Sequence, residues 1–320
     1  MTAAPTSLED LVRASSRALV IGVGGGGDVV GALAAARFLE FLGLTFTLGG
    51  LSWERIVYDP TPGPRKLSET RNVRPIHPFA WMANRESQTA TGVFFAESRM
   101  AAALDREVLL VDINGGVKGV VDALETALKQ LDADLLVGID VGGDSLAQGH
   151  EPGLRSPLAD SIMLAAFAEL EQRGLRAVWG VFGYGSDGEL TTDEIEAALS
   201  KLAADGGLLG AWGLTPKIAA ELDEVVKTVP TEASAIPLEC FRGAWGQGTI
   251  RNEQRGVKLT PLTSLTFFVS ATKLYATLSR PAQALKDSAS LEEANDALHG
   301  LGIRTELDFE RGDGKTAGAR

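Results

Sequence analysis

Several short apolar runs in this chain end in glycines accompanied by aspartates, and that pairing is its most chemically pointed feature. Asp28 closes Gly22-Val23-Gly24-Gly25-Gly26-Gly27-Asp28. Asp112 precedes Asn114-Gly115-Gly116, Asp140 and Asp144 bracket Val141-Gly142-Gly143, and Asp187 lies in Gly183-Tyr184-Gly185-Ser186-Asp187-Gly188. Carboxylates are hard oxygen ligands, and several of them around a phosphate loop suit a Mg²⁺ that shares its shell with substrate. Asp28, Asp140 and Asp144 are expected to hold metal or sugar hydroxyls, with Asp140 and Asp144 as the metal ligands that serve catalysis. Asp and Ser also cap helices at such positions without doing chemistry, so any single acid admits that plainer reading.

The glycines have their own role. Gly24, Gly25, Gly26 and Gly27 leave a strand-to-helix loop without side chains. Unpartnered amides and the helix dipole favour an anion there, so the loop is expected to bind phosphate. Gly142, Gly143 and Gly185 are expected to line the same ligand. His150 is the candidate general acid or base, because an unperturbed imidazole titrates near neutrality. Nearby, Arg155 is expected to clamp an anion. His77 is a second choice, and His299 reads as a helix-terminal residue. Arg242-Gly243-Ala244-Trp245-Gly246-Gln247-Gly248-Thr249-Ile250-Arg251 joins arginines with an indole. It reads as anion recognition or as a plain surface turn.

Other chemistries fall away. Cys240 is the one cysteine, so neither an intrachain disulfide nor a cysteine–zinc site can form, and a reducing cytoplasm is expected. Asp28-Val29 stands where a Walker A loop needs Lys-Ser/Thr, and Tyr184 spoils a nucleophile elbow at Ser186.

These residues need a scaffold. Ala18-Leu19-Val20-Ile21 reads as a buried parallel strand, and Val29, Val30, Leu33, Ala34, Phe38 and Phe41 form the apolar stripe of the following helix. Strands are expected at 45–48, 107–112, 134–140 and 176–182, with helices between them. Pro157 opens one helix at its first position. This alternation predicts a Rossmann-like α/β fold, a mostly parallel sheet with helices on both faces and ligands beyond its carboxyl edge. Residues 1–214 would form that core. Residues 215–310 would be a mainly helical C-terminal portion packed on it, with strands at 265–269 and 303–309, and residues 311–320 a disordered tail. Ser52 to Ser87 is proline-punctuated and locally basic, a long functional loop or a solvated connection.

Among 320 residues, 45% are hydrophobic, enough for a sizeable core. Charges of 30 basic against 42 acidic give −12, which argues against nucleic acid or an anionic membrane surface as partner. No signal peptide or spanning segment is read, and homo-oligomerisation stays open.

Nucleotide motifs match in part. Gly22, Gly24 and Gly27 fit Gly-x-Gly-x-x-Gly, yet the second strand ends in Gly49-Gly50-Leu51, and Glu54 is the nearest acid for a ribose. Gly25, Gly26 and Asp28 are similar to the loop of pyrophosphatase-type ATP enzymes, although Gly24 and Val29 replace its hydroxyls. Gly142-Gly143-Asp144 is similar to the Gly-Gly-Asp of the NAD-kinase and phosphofructokinase families. Over residues 15–310 the chain resembles an uncharacterised prokaryotic family known only as a domain of unknown function. That resemblance rests on Gly22–Gly31, Gly138–Asp160 and Gly183–Glu189. It implies a Rossmann-like fold and supplies no reaction. The expectation is an enzyme acting on a nucleotide, nucleoside or phosphorylated metabolite, with Mg²⁺. The alternatives are an NAD(P)-dependent oxidoreductase and a non-catalytic nucleotide-sensing or scaffold subunit.

Overall fold

The computed structural model describes residues 7–251 and 254–312. Its strands are β1 (Arg17–Gly22), β2 (Thr45–Leu51), β3 (Thr70–His77), β4 (Ala80–Thr89), β5 (Val108–Val111), β6 (Leu135–Val141), β7 (Ala177–Phe182), β8 (Leu208–Gly213), β9 (Gly246–Ile250), β10 (Arg255–Leu259) and β11 (Leu265–Val269). Nine of them form one sheet in the order β3-β4-β5-β2-β1-β6-β7-β11-β8, while β9 and β10 pair separately. The central strands β5, β2, β1, β6 and β7 are parallel. Antiparallel strands extend both edges. With β2 on one side of β1 and β6 on the other, the chain reverses its winding at β1. A crevice opens at such a switch, beyond the carboxyl ends of the strands.

Burial on both faces explains the apolar runs. Ala18 and Val20 pack toward the helix Asp28–Phe41, whereas Leu19 and Ile21 join a core with Val120 and Leu124 of Gly116–Gln130 and Leu158 and Ile162 of Pro157–Gln172. Successive strand residues thus serve opposite layers. The helix after β1 lies unusually close to the sheet at Gly31, where any Cβ would press on Val141 and Phe182. Among the described residues, no helix is long and apolar enough to cross a membrane.

Three expectations are corrected. The stretch 52–87 is not one long loop, because β3 and β4 pair antiparallel from Thr70 to Thr89. Edge position reconciles Pro75 with a strand, and the bulge at Asn72, with φ of 58°, absorbs the register shift. Its arginines do not form one basic patch: Arg74 pairs with Glu107, and Arg65 is buried against Asp59. The expected closing strand at 303–309 is instead the helix Glu306–Arg311, with Thr305 and Asp308 forming a reciprocal capping box. Two satisfied backbone donors at its start outweigh a weak alternation. The C-terminal portion also holds more strand than expected, since β9 and β10 form a hairpin. The segment Leu208–Gly213, for which no element was read, becomes an edge strand beside β11. Residues 313–320 of the expected tail lie outside the described residues.

Candidate functional site

A cavity of about 690 Å³ opens beyond β1, β6 and β7. The glycine loop and Asp28 form one side, and Val141 and Asp144 follow from the next crossing. Asp187, the helix residue Asp160 and Glu306 complete the acidic floor. Exposures of 1% for Asp140, 3% for Asp160, 5% for Asp187 and 7% for Asp144 leave these carboxyls nearly dry.

Their partners divide them by role. Asp140 accepts the Gly143 and Ser145 amides, each at 3.1 Å, and the Ser145 hydroxyl. The indole of Trp179 donates to that hydroxyl at 2.9 Å, so Asp140 shapes the loop from beneath the cavity. Asp144 accepts the Ser156 hydroxyl at 3.2 Å and lies against Asp140. Among the described residues Asp160 Oδ1 is buried with no hydrogen-bond partner. Such an orphan is costly unless something meets it. Asp140, Asp144 and Asp160 bring one oxygen each within 4.8 Å of one another, as do Asp144, Asp187 and Glu189. In the second trio Glu189 is already engaged: it accepts Arg255 Nη1 at 2.7 Å, the Ser156 hydroxyl at 2.6 Å and the amides of Arg155 and Ser156. The first trio is therefore the better cation cradle.

Electrostatics follow from that crowding. Burial pushes Asp144 well above the usual carboxylate range, and repulsion from Asp160, Glu189 and Asp140 adds to it. Asp160 is driven up by burial and then by Asp140 and Asp28. Asp28 and Asp187 are raised chiefly by burial as well. Asp140 is raised less freely, because its hydrogen bonds from Ser145 and Gly143 oppose desolvation. A divalent cation would reverse this cost by holding the acids ionised. An all-oxygen donor set with an orphaned oxygen fits a hard ion such as Mg²⁺.

The glycine loop differs from the open cradle expected of it. Asp28 folds back so that the Gly24 amide donates to its Oδ2 at 3.0 Å, with the Val141 amide at 3.4 Å. The Gly26 amide donates to the Trp53 carbonyl at 2.8 Å. Main-chain donors expected to be bare at Gly24 and Gly26 are thus already satisfied.

Glu54 lines the same cavity and accepts the Ala96 amide at 2.5 Å. Burial raises it to about 7, the favourable amide bond and Arg99 only partly opposing. A carboxyl whose native value exceeds its unfolded value of 4.5 costs stability as pH rises from 4.5 to about 7. Glu54→Gln is therefore expected to match the parent near pH 4.5 and to exceed it at pH 8 by on the order of 2 kcal/mol. Urea titrations across that range check this, and a stability gap independent of pH would contradict it.

The sequence-picked residues divide accordingly. Gly24, Gly25, Gly26, Gly27, Asp28, Glu54, Asp144, Arg155 and Asp187 all line the cavity, with Asp140 beneath. Gly142 and Gly143 support it from behind, at φ of 124° and 109°. A Cβ on Gly142 would run into Asp187. The Gly185 amide ties that crossing to the Gly142 carbonyl at 2.7 Å. The Arg155 guanidinium binds the Pro152 and Leu154 carbonyls. His150 stands apart, with a side chain 70% exposed and not on the cavity lining. Asp112 lies on the same sheet edge but lines a neighbouring hollow with His77 and Asn114.

Residues missed from sequence are Asp160, Glu189, Glu306 and Arg255, while Arg55 stands out only as part of the basic 52–87 stretch and Arg251 only as the end of the Arg242–Arg251 turn. Asp160 and Glu189 close the two later stretches that carry the family resemblance, which was the available signal. Glu306 comes from the misread closing element. It accepts the Leu158 and Ala159 amides at the start of Pro157–Gln172, and burial raises it to about 8.

A doubly covered α/β sheet with an acid-floored crevice at its switch strand defines the class of protein. Within that class the chain belongs to the family described as protein of unknown function (DUF1152), whose profile matches residues 19–313. The match spans every cavity-lining residue named above. A search of the curated proteins found no match.

Proposed function

We infer that the protein is a divalent-cation-dependent enzyme acting on a small phosphorylated molecule or nucleotide at the carboxyl edge of the sheet. One observation carries this reading: Asp140, Asp144 and Asp160 converge from two chain segments, and among the described residues Asp160 Oδ1 has no hydrogen-bond partner at the cavity floor. Mg²⁺ there would polarise a phosphoryl oxygen and neutralise charge developing on it. Glu54, titrating near 7, is the better-placed proton carrier than His150. The organic part of the ligand has an apolar wall in Ile56, Val57 and Phe309, which are exposed at the rim.

The nicotinamide reading has less support, because Asp28 and Trp53 already satisfy the loop amides of Gly24 and Gly26. The test is a turnover screen of nucleotides and sugar phosphates with Mg²⁺ or Mn²⁺ and with chelator. Cation-dependent conversion of at least one compound is expected. Binding without conversion in every case would favour the sensing or scaffold reading instead.

A further inference from the structure

The cavity has a second chemical half that the acid floor does not use. Arg55 follows Trp53 and Glu54 on the wall, and a Cβ on Gly26 would lie 3.4 Å from its Cγ. Its stem therefore rests on the glycine loop. Arg251 and Arg255 flank the tip of the β9–β10 hairpin and also line the cavity. Arg255 is accounted for by Glu189 and the Asp187 carbonyl. Among the described residues the guanidinium groups of Arg251 and Arg55 make no hydrogen bond or ion pair.

Arg251 is held deliberately. Its backbone is left-handed, with φ of 56°, and its amide donates to Glu232 at 2.8 Å. An arginine in that conformation is strained, and such strain gathers at ligand clamps. Its side chain is half-buried beside two like charges. Burial, then Arg255 and Arg55, push the guanidinium down from its usual value, with Glu189 and Asp187 opposing. Like charges drawn together with no hydrogen-bond partner among the described residues are stabilised when an anion sits between them.

We propose that Arg55 and Arg251, braced by Arg255, form the anion subsite of this cavity and receive the phosphoryl group of a phosphomonoester above the glycine loop. This rests on the reading of the acid floor as a cation site only in that both would touch one substrate. A phosphoryl dianion matches paired guanidiniums on one side and a cation on the other, and its oxygens accept forked N–H donors from several directions. The Gly26 amide is already satisfied, and that residue lies against the Arg55 stem. Gly26 itself is required by its left-handed backbone, with φ of 52°.

The probe is inorganic phosphate, titrated calorimetrically into the protein with and without Mn²⁺. The variants are Arg251→Met, Arg55→Met and, on the remote surface, Arg173→Met. A tenfold or greater loss of phosphate affinity is expected in the first two, with parent behaviour in the third. Mn²⁺ binding measured without phosphate should be unchanged in all three. Arg251→Gln serves as second variant should the methionine disturb folding, with circular dichroism as the check. Parent-like phosphate binding in Arg251→Met and Arg55→Met would overturn the subsite, as would no phosphate binding to the parent. Acetate binding as tightly as phosphate would overturn the phosphoryl assignment. Loss of Mn²⁺ binding in the parent would instead defeat the cation reading, and the metal-free phosphate titration would still decide the arginines.

Discussion

Asp160→Asn and Asp144→Asn are each expected to abolish the stabilisation that Mn²⁺ gives the parent protein. A cation at a hundred times its dissociation constant stabilises the native state by about 2.7 kcal/mol. In a chain of this size that amounts to a rise in Tm of about 4 °C. Both variants should lose that rise, because Asp144 and Asp160 are the least committed oxygens of the trio. Without cation the same variants should be more stable than the parent. Asp160 Oδ1 is buried without a hydrogen-bond partner among the described residues, and its carboxyl is repelled by Asp140 and Asp28. Removing its charge relieves that repulsion, the usual exchange between function and stability at such sites. Differential scanning fluorimetry with Mn²⁺ and with chelator measures both effects. Equal Mn²⁺-dependent shifts in parent and variants would show that the ion, if it binds, sits elsewhere.

Arg65→Met should destabilise the fold by about 3–5 kcal/mol, the loss expected when one partner of a buried ion pair is removed. Arg65 and Asp59 are 5% and 1% exposed and meet at 2.8 Å through Nε and Oδ2. The pair also closes the segment that forms the cavity wall. The Arg65 amide donates to the Ser52 carbonyl and the Ser52 hydroxyl to the Arg65 carbonyl, each at 2.7 Å. The Arg65 side chain further reaches the Thr61 carbonyl. Freed from this clasp, Trp53 to Val57 should exchange their amides faster. Combining Arg65→Met with Asp59→Asn should recover part of the loss, because no unpaired charge then remains buried. Urea midpoints give the energies. A loss below about 1 kcal/mol would place the pair among ordinary exposed ones.

Much of the site could be read in advance, for a local reason. Glycine after an apolar run, then an acid, marks a strand-to-helix crossing within a few residues. Those crossings at Asp28, Asp140, Asp144 and Asp187 do meet at one edge, because parallel strands present all their carboxyl ends there. Asp112 obeyed the same local rule and reached the same edge. Strand order left it beside a different hollow, since β2 and β1 stand between β5 and β6. His150 stands out in the sequence by residue type and by its place just past the Asp144 loop, and nothing local reveals that its side chain is exposed.

Local sequence by itself determined the β1 crossing, the proline-started helix at Pro157 and the alternating core, because short-range propensity and burial pattern act over a few residues. Tertiary structure alone decided which acids share a cavity, that Asp28 would cap its own loop, and that Glu306 and Arg251 arrive from distant segments. Burial, like-charge repulsion and partner loss depend on neighbours far apart along the chain. Only packing makes a carboxylate dry or a guanidinium lonely, and those two conditions are what give this cavity its chemistry.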